Sequence, residues 1–364
     1  MKYSLDNICT FGKDKINVSS LTLENYISTE NMLPNKAGVT VASTLPTVTQ
    51  TQRYVRGDVL VSNIRPYFKK IWFADKDGGC SNDVLVFKSK ENIDKRYLYY
   101  VLANDEFFNY SMATSKGTKM PRGDKISIMA YEIEEFDIET QQKIGSLLSS
   151  IDEKIALNEQ INKNLMEQAS VLYKAWFEDF ILFNGLCPPM WKQGVLADIA
   201  NITSGKRPPV KSAVKTDTAV IPIVGAASVM GYTSEANHTD KILVTGRVGT
   251  HGVVQRFESP CWTSDNTLVI TSDVYEYTYQ ILQRIDYHSM NRGSTQPLIT
   301  QGDMNKVSVL IPDQETLNEY ETLVGQLMKQ YQANILENNK LSEMRDTLLP
   351  RLMSGELDVS GIDF

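Results

Sequence analysis

Residues 140–177 read TQQKIGSLLSSIDEKIALNEQINKNLMEQASVLYKAWF and carry a stripe of apolar side chains at heptad spacing. Only Gly145, near the start, interrupts residues that favour a helix. A period of 3.5 residues is typical of a long helix that packs against another helix in a coiled coil. We therefore predict a long helix, whose stripe consists of Ile144, Leu148, Ile151, Ile155, Asn158, Asn162, Leu165, Ala169, Leu172 and Trp176.

The same stripe recurs 176 residues later, and its polar interruptions recur in the same frame. The stretches NEQINKNL (158–165) and NILENNKL (334–341) share two asparagines and a leucine. Because both the heptad period and the polar residues that interrupt it recur, the chain contains an internal repeat. Each helix is expected to span roughly 50–60 Å, with Pro350 and Gly355 ending the second. The second stripe consists of Tyr320, Val324, Leu327, Tyr331, Asn334, Asn338, Leu341, Arg345 and Leu348.

The segments outside these helices contain β-branched and aromatic runs bounded by Gly, Asn and Asp, which predict strands. SNDVLVF (81–87) parallels SDNTLVI (264–270), and KGTKMP (116–121) parallels RGSTQP (292–297). The predicted fold class is α+β, with two mixed α/β domains, two long antiparallel coiled-coil helices that separate them, and a pseudo-two-fold repeat. The predicted segments are a domain at 1–135, a long helix at 136–180, a second domain at 181–312, and a second helix with a tail at 313–364.

The net charge of −7 is concentrated in the two helical segments. Residues 1–130 hold 18 Lys and Arg against 13 Asp and Glu, whereas residues 131–180 hold 4 against 11. A DNA duplex attracts local basic surface and not the charge of a whole chain. The composition is therefore compatible with DNA binding.

Targeting and redox features predict a cytoplasmic protein. No apolar run reaches the roughly 20 residues that a membrane-spanning helix needs, and the start, MKYSLDNICTFGKDK, has no apolar signal-peptide core. The four cysteines lie far apart, which favours reduced thiols over a structural metal site. They are Cys9, Cys80, Cys187 and Cys261.

A search for catalytic motifs finds none. The sequence contains no phosphate-binding GxxxxGK[ST] loop, no HExxH, no GxSxG and no Asn/Asp-Pro-Pro-aromatic motif of the amino-methyltransferases. The histidines lack ligand spacing, and the Asp, Glu and Lys of IDEKIA (151–156) are consecutive, so on a helix they point to different faces. We predict no catalytic and no metal-binding residues.

Basic and polar loops offer a better functional signal. Lys and Arg contact phosphates, while Arg, Asn, Gln, Ser and Thr can read base edges. Each cluster is also compatible with ordinary solvated surface, and Arg65 with an ion pair, but KGTKMP and RGSTQP recur at equivalent places. The candidate DNA-binding residues are Asn63, Arg65, Lys69, Lys70, Lys116, Thr118, Lys119 and Arg122 in the first domain, and Lys206, Arg207, Arg247, His251, Arg292, Ser294, Thr295 and Gln296 in the second.

The chain resembles the specificity subunits (HsdS) of type I restriction-modification systems. The resemblance lies in residues 140–177, in ENNKLSEMRDTLLPRLMSGELD (337–358) and in GDVLVSNIRPY (57–67). It implies that the two domains are target-recognition domains, each reading one half of a bipartite DNA sequence, and that the helices act as a ruler between them. It also implies a non-catalytic chain.

The resemblance further implies partners. Two methyltransferase (HsdM) subunits would dock on the helices and methylate adenine in double-stranded DNA with S-adenosylmethionine. Restriction (HsdR) subunits that use ATP and Mg²⁺ can join them. Two alternatives remain open at this point: a stand-alone DNA nuclease or methyltransferase with a coiled-coil arm, and a structural coiled-coil adaptor.

The repeated asparagines carry a hypothesis of their own. Buried amides weaken an apolar helix interface but disfavour shifted registers that leave them unpaired. In an antiparallel pair, Asn158 and Asn162 would lie near Asn338 and Asn334. We predict that these four residues fix the register of the helices.

Overall fold

The computed structural model describes residues 2–250, 252–290 and 298–361. The chain forms two compact units. Unit 1 comprises Met1–Asn158 and Ile335–Phe364, and unit 2 comprises Glu159–Asn334. The four predicted segment boundaries stay a prediction.

Unit 1 contains ten strands and four short helices in its described part, together with parts of two long helices. The strands are β1 (Lys2–Ser4), β2 (Cys9–Phe11), β3 (Lys15–Asn17), β4 (Tyr26–Ile27), β5 (Gln50–Tyr54), β6 (Val59–Ser62), β7 (Ile71–Phe73), β8 (Gly78–Cys80), β9 (Val84–Ser89) and β10 (Glu132–Glu134). The helices are α1 (Leu5–Ile8), α2 (Lys95–Ala103), α3 (Asp105–Ala113), α4 (Lys125–Met129) and the first long helix α5 (Ile138–Tyr173).

Unit 2 repeats this content with fewer strands in its described part. Its strands are β11 (Lys192–Val195), β12 (Asn201–Ser204), β13 (Ile221–Val224), β14 (Val229–Thr233), β15 (Ile242–Gly246), β16 (Val254–Phe257), β17 (Trp262–Thr263), β18 (Thr267–Thr271) and β19 (Ser308–Ile311). Its helices are α6 (Tyr275–Arg284) and α7 (Gln301–Asn305), followed by the second long helix α8 (Gln314–Met353).

One four-stranded sheet has the same topology in the two units, whereas the second sheet, among the described residues, has four strands in unit 1 and three in unit 2. Unit 1 has an antiparallel sheet in the order β2-β9-β6-β7, and unit 2 has the equivalent order β12-β18-β15-β16. Each unit adds a second sheet with one parallel pair, β4 with β8 and β13 with β17. Each also pairs its first strand with the strand before its long helix. The predicted α+β fold with an internal repeat is confirmed.

Both long helices begin after an aspartate that accepts a hydrogen bond from the first helical turn. The Thr140 amide donates to Asp137 at 2.8 Å, and the Thr316 amide donates to Asp313 at 2.9 Å. These caps satisfy amides that have no partner inside the helix. The two aspartates are 176 residues apart, so the repeat includes the helix starts.

The second helix ends later than the sequence predicted. Pro350 lies inside α8, which continues to Met353, so the prediction that this proline stops the helix is wrong. Proline removes one backbone hydrogen bond, and near a helix end the neighbouring turns can tolerate that loss. Gly355 follows with φ of 73°, a conformation that glycine adopts readily after a helix.

The side chains of the two stripes are buried or half-buried. Within unit 1, the Arg345 guanidinium on α8 donates to Asp152 on α5 at 2.8 Å. Within unit 2, the Tyr320 hydroxyl donates to the Ala169 carbonyl at 3.4 Å. In unit 1 Asn158 contacts Asn338, and in unit 2 Asn162 contacts Asn334. In each unit the residue number on α8 falls as that on α5 rises, so the helices are antiparallel there. Coiled-coil packing in detail stays a prediction.

The core of unit 2 is rich in aromatic rings at the end of α5. Tyr173 and Phe177 are buried there, and the Phe177 ring centre lies 4.7 Å from that of Tyr277 and 5.0 Å from that of Tyr320. Trp176 packs at the margin of the same cluster. The aromatic residues at this helix end therefore belong to the core of unit 2.

Candidate nucleic-acid interface

The predicted basic loops of unit 1 converge on one surface. The Arg65 amide donates to the Pro121 carbonyl at 2.8 Å, and the Gly123 amide donates to Asn63 at 3.2 Å. The backbones of Lys116 and Arg122 exchange two hydrogen bonds at 2.9 and 3.0 Å. The loop that follows β6 and the loop that precedes α4 are therefore joined, although they lie some 50 residues apart in the sequence.

Several cations on this surface have carboxylate partners. Lys36 and Lys69 both bind Asp105, at 2.8 and 2.7 Å. Partial burial opposes ionisation of Asp105, but the two lysines outweigh it and lower the pKa of the carboxyl. These contacts hold the lysines in place and cancel part of their charge.

The loop before α4 shows the same pairing. Arg122 contacts Asp83 at 3.2 Å, and Lys116 contacts Asp124. The hydrogen bond from Lys116 is the largest cause that lowers the pKa of Asp124 to about 2. Thr118 and Lys119 are exposed at the tip, and Lys119 has no ion pair within the part of the chain that the structure describes.

Lys70 and Arg65 serve the loop in other ways. The Lys70 ammonium donates to the Thr29 carbonyl at 2.6 Å, and partial burial lowers its pKa. The Nε atom of Arg65 and the Oδ1 atom of Asn63 are buried without a hydrogen-bond partner among the described residues. Arg65 also makes no ion pair there, so the structure gives no support to the alternative of a structural ion pair.

Sequence reasoning missed Asn35 and Lys36. They occupy the tip of a hairpin in which Met32 bridges Val39, and their amides donate to the Phe68 and Lys69 carbonyls. The composition of PNKAG (34–38) indicates a turn. No local pattern connects that turn to residues some 30 positions away, which is why the contact could not be found from the sequence.

In unit 2, two predicted loops meet at the edge of the four-stranded sheet. Lys206 follows β12, and its amide donates to the Thr263 carbonyl at 2.9 Å. Arg247 follows β15, and its guanidinium lies 3.5 Å from the Ser204 hydroxyl. Its Nε atom is buried without a partner among the described residues, as in Arg65. Lys206 and Arg207 are exposed.

The remaining candidates of unit 2 cannot be placed. His251, Arg292, Ser294, Thr295 and Gln296 lie outside the described residues. DNA contact by any of the candidates in either unit stays a prediction.

The four asparagines form two matching sets of hydrogen bonds. In unit 1, Asn158 donates to the Asn338 side chain at 2.8 Å, and Asn338 donates to the Ile155 carbonyl at 3.3 Å. In unit 2 the set repeats: Asn334 donates to Asn162 at 2.9 Å, and Asn162 donates to the Tyr331 carbonyl at 3.3 Å. Asn158, Asn162 and Asn334 are buried, and Asn338 is half-buried. Their proposed role in fixing the register stays a prediction.

Residues 2–250, 252–290 and 298–361 contain neither a metal-binding cluster nor a membrane-spanning helix. No group of three or more His, Cys, Asp or Glu side chains is placed to hold a metal ion there. No helix in the same residues has the length and apolarity required to cross a membrane.

Comparison with known families decides the assignment. The family model for the type I restriction modification DNA specificity domain matches residues 2–167 and 188–344. The chain belongs to this family. The two matched stretches correspond to the two repeats, and the predicted resemblance to type I specificity subunits is confirmed.

Individual relatives cover the chain almost completely. The HindI specificity subunit of Haemophilus influenzae is 23% identical over 98% of this chain and 99% of its own length. The MjaIX specificity subunit of Methanocaldococcus jannaschii is 25% identical over 74% of this chain and 71% of its own length. The crystal structure of the S subunit of a type I system from M. genitalium shares the fold, with a TM-score of 0.63 at 17% identity over 97% of this chain and 96% of that one.

Proposed function

We propose that each unit reads one half of a bipartite sequence in double-stranded DNA. The observation that carries this proposal is the repetition of a cationic loop at the same place in the sheet. Asn63 and Arg65 follow β6, and Arg247 follows the equivalent strand β15. Arginine can contact phosphates and guanine edges, and asparagine can contact adenine.

The two long helices are proposed to set the spacing of the half-sites and to dock two methyltransferase subunits. Helices of 36 and 40 residues extend roughly 54 and 60 Å, which exceeds the roughly 34 Å of one DNA turn. The paired asparagines would favour a single register, because a shift by one turn leaves two of the four amides without their asparagine partners. In this role the register fixes a distance on DNA.

The chain itself is proposed to be non-catalytic and to act in the cytoplasm, where its DNA is found. S-adenosylmethionine would bind the methyltransferase subunits, and ATP with Mg²⁺ would bind restriction subunits that join the complex. The absence of catalytic sequence motifs supports this division. The runner-up, a nuclease or methyltransferase with a coiled-coil arm, predicts turnover by the purified chain with DNA, S-adenosylmethionine and Mg²⁺.

Replacement of a domain tests the proposal directly. Residues 1–135 are exchanged for the corresponding domain of another family member, and methylated adenines are mapped in cells that carry the complete methyltransferase. We expect one half of the methylated motif to change and the other half to persist. A change in both halves, or in neither, would refute independent reading by the two units.

Two lysines provide a finer test of the first interface. Lys119→Ala removes an exposed cation that has no carboxylate partner among the described residues, whereas Lys116→Ala removes one that already binds Asp124. We expect both to weaken DNA binding, with the larger loss for Lys119→Ala. Loss of one phosphate contact should reduce the slope of log affinity against log salt by about 1.

A further inference from the structure

The loop after β6 presents two neighbouring aromatic rings to solvent. Tyr67 is 49% exposed and Phe68 is 37% exposed, and their ring centres lie 4.6 Å apart. Both belong to the short 3₁₀ turn Pro66–Phe68, and neither belongs to a buried core cluster. Exposed large apolar residues that stand singly need no explanation, but an adjacent pair is an apolar surface feature.

The backbone around this pair is strained. Arg65 and Lys69 flank the turn with φ of 52° and 50°, and Asn35 and Lys36 in the neighbouring hairpin have φ of 56° and 62°. These are four of the seven non-glycine residues with positive φ in the described part of the chain. Such conformations persist when the surrounding structure enforces them, and they cluster at ligand sites.

The contacts that enforce the strain also hold the rings in place. The Asn35 amide donates to the Phe68 carbonyl at 2.8 Å, and the Lys36 amide donates to the Lys69 carbonyl at 2.9 Å. Asp105 adds ion pairs to Lys36 and Lys69. The loop is therefore braced at its backbone and at its side chains, while the rings remain exposed.

The charge around the rings identifies the kind of partner. Arg65, Lys69 and Lys70 flank the pair in sequence, and Lys36 lies in the hairpin that is hydrogen-bonded to this turn. Asp105 and Glu30 balance only part of this charge. The Lys70 ammonium lies 5.7 Å from the centre of the Phe68 ring. A partner must supply flat or apolar groups for the rings and negative charge for the cations. Duplex DNA supplies both, because thymine methyl groups line the major groove between the phosphate backbones and base faces become accessible where a base step is unstacked.

We propose that Tyr67 and Phe68 form a rigid aromatic contact to the bases of the half-site that unit 1 reads, with the surrounding cations on the flanking phosphates. This inference rests on the proposed function and adds specificity-determining residues that bear no charge. The equivalent loop of unit 2 carries Val248, Gly249 and Thr250 and no aromatic ring in its described residues. An adjacent Tyr and Phe at this place are therefore a feature of the unit 1 loop, since residues 247–253 of unit 2 contain neither.

The test uses Tyr67→Ala/Phe68→Ala in the complete methyltransferase complex. The probes are a labelled duplex that carries the methylated motif and a duplex of the same composition with that motif scrambled. We expect affinity for the motif duplex to fall about 5- to 150-fold, the range for loss of an aromatic–base contact. The slope of log affinity against log salt should stay unchanged, because no phosphate contact is lost.

Matched variants separate the ring contact from other causes. Tyr67→Phe should retain affinity, since the ring remains, and Val48→Ala, which truncates another exposed apolar residue of unit 1, should have no effect. An unchanged melting temperature would show that the double variant folds. Unchanged affinity for the motif duplex would overturn the proposal, and so would loss of methyltransferase subunits from the complex, which would assign the rings to a protein partner.

Failure of this inference is distinguishable from failure of the proposed function. If Lys119→Ala weakens binding and domain replacement alters one half of the motif, a silent Tyr67→Ala/Phe68→Ala variant refutes the aromatic contact alone. If neither of those experiments has an effect, the proposed function fails together with the inference.

Discussion

Helices α2 and α6 occupy equivalent places in the two units, yet their first amides are satisfied from opposite sides. In unit 1, Asp94 caps α2 with its own side chain, which accepts from the Tyr97 amide at 2.8 Å. In unit 2, the residue before α6 is Val274, which has no side-chain acceptor. Glu321 of α8 replaces it and accepts from the Glu276 and Tyr277 amides at 3.0 and 2.8 Å.

The long helices carry the matching change. The residue of α5 that is 176 positions before Glu321 is Gly145. A Cβ atom at Gly145 would lie 2.8 Å from the Asp94 carboxylate and 3.1 Å from the Tyr97 nitrogen. A helix start must have an acceptor, and each unit provides one from a different element. In each unit the residue at this place on the long helix thus matches the way in which the neighbouring helix start is capped.

The surroundings of Glu321 explain its titration. Burial is the largest effect and raises the pKa of Glu321 to about 7, although the two amide donors oppose it. Nearby, the buried Arg256 guanidinium binds both oxygens of Glu276 at 2.5 and 2.8 Å. The half-buried Glu321 side chain thus joins α8 to α6, and the buried pair of Arg256 and Glu276 joins α6 to β16 within unit 2.

Removal of the Glu321 carboxylate, which accepts from two amides of α6, should have the largest effect on stability. Glu321→Ala leaves two amides of α6 without a partner, and we expect the free energy of unfolding of unit 2 to fall by about 2–3 kcal/mol. Hydrogen exchange in urea, read over α6 with α2 as an internal reference, measures the loss. Glu319→Ala, which truncates an exposed carboxylate on the same helix, is the matched control. Equal exchange in α6 for both variants would contradict the capping role.

The pH dependence of unit 2 should be the next largest effect. Because the folded pKa of Glu321 lies above its ordinary value of 4.5, the folded unit binds the proton more tightly than the unfolded chain. The contribution of Glu321 to stability should therefore be greatest below pH 4.5 and should fall as pH rises towards about 7. We expect a change of about 1–2 kcal/mol after allowance for partial solvent screening. Glu321→Gln should remove this component from urea unfolding curves, and persistence of the slope in that variant would assign it to another group.

Gly145→Ala should destabilise unit 1 by about 1 kcal/mol, because its added methyl group meets the cap of α2. Gly325→Ala on α8 is the matched control, since a Cβ atom there has no neighbour within 4 Å. This control should be neutral or stabilise its helix by up to about 1 kcal/mol. If Gly145→Ala and Gly325→Ala changed the unfolding free energy with the same sign, the close approach of Asp94 to Gly145 would be unimportant.

An aspartate cap placed before α6, as Asp94 stands before α2, should have the smallest effect on the free energy of unfolding. We expect Val274→Asp, combined with Glu321→Gly, to recover about 1 kcal/mol relative to Glu321→Gly alone, because the new aspartate can cap α6. The comparison requires only the unfolding free energies of the two variants. No recovery would mean that α6 needs its acceptor from α8.

The sequence predicted the features that repeat at short range. Heptad spacing and its recurrence placed the long helices and set Asn158 opposite Asn338, because a periodic pattern defines one face of a helix. The paired strand motifs SNDVLVF and SDNTLVI became the equivalent strands β9 and β18. Each of these predictions needed only local spacing and its repetition.

The missed features depend on contacts between distant residues. No pattern near Val274 shows that Glu321 supplies its missing acceptor, since the two lie on separate elements. Nor does the sequence show that Asp105 binds two lysines of the predicted interface. Both follow from packing, which brings together residues that have no fixed sequence spacing.

The last turn of α8 has a consequence for synthesis on the ribosome. Leu349 and Leu352 share the core of unit 1 with Leu5 and Ile8, and the Lys143 ammonium donates to the Ser360 carbonyl at 3.0 Å. Unit 2 is continuous in sequence, whereas unit 1 needs residues made after it. Residues 1–158 of unit 1 are therefore synthesised before unit 2, but unit 1 is completed after it. The apolar surface of unit 1 stays uncovered until α8 has been made, while unit 2 can already fold.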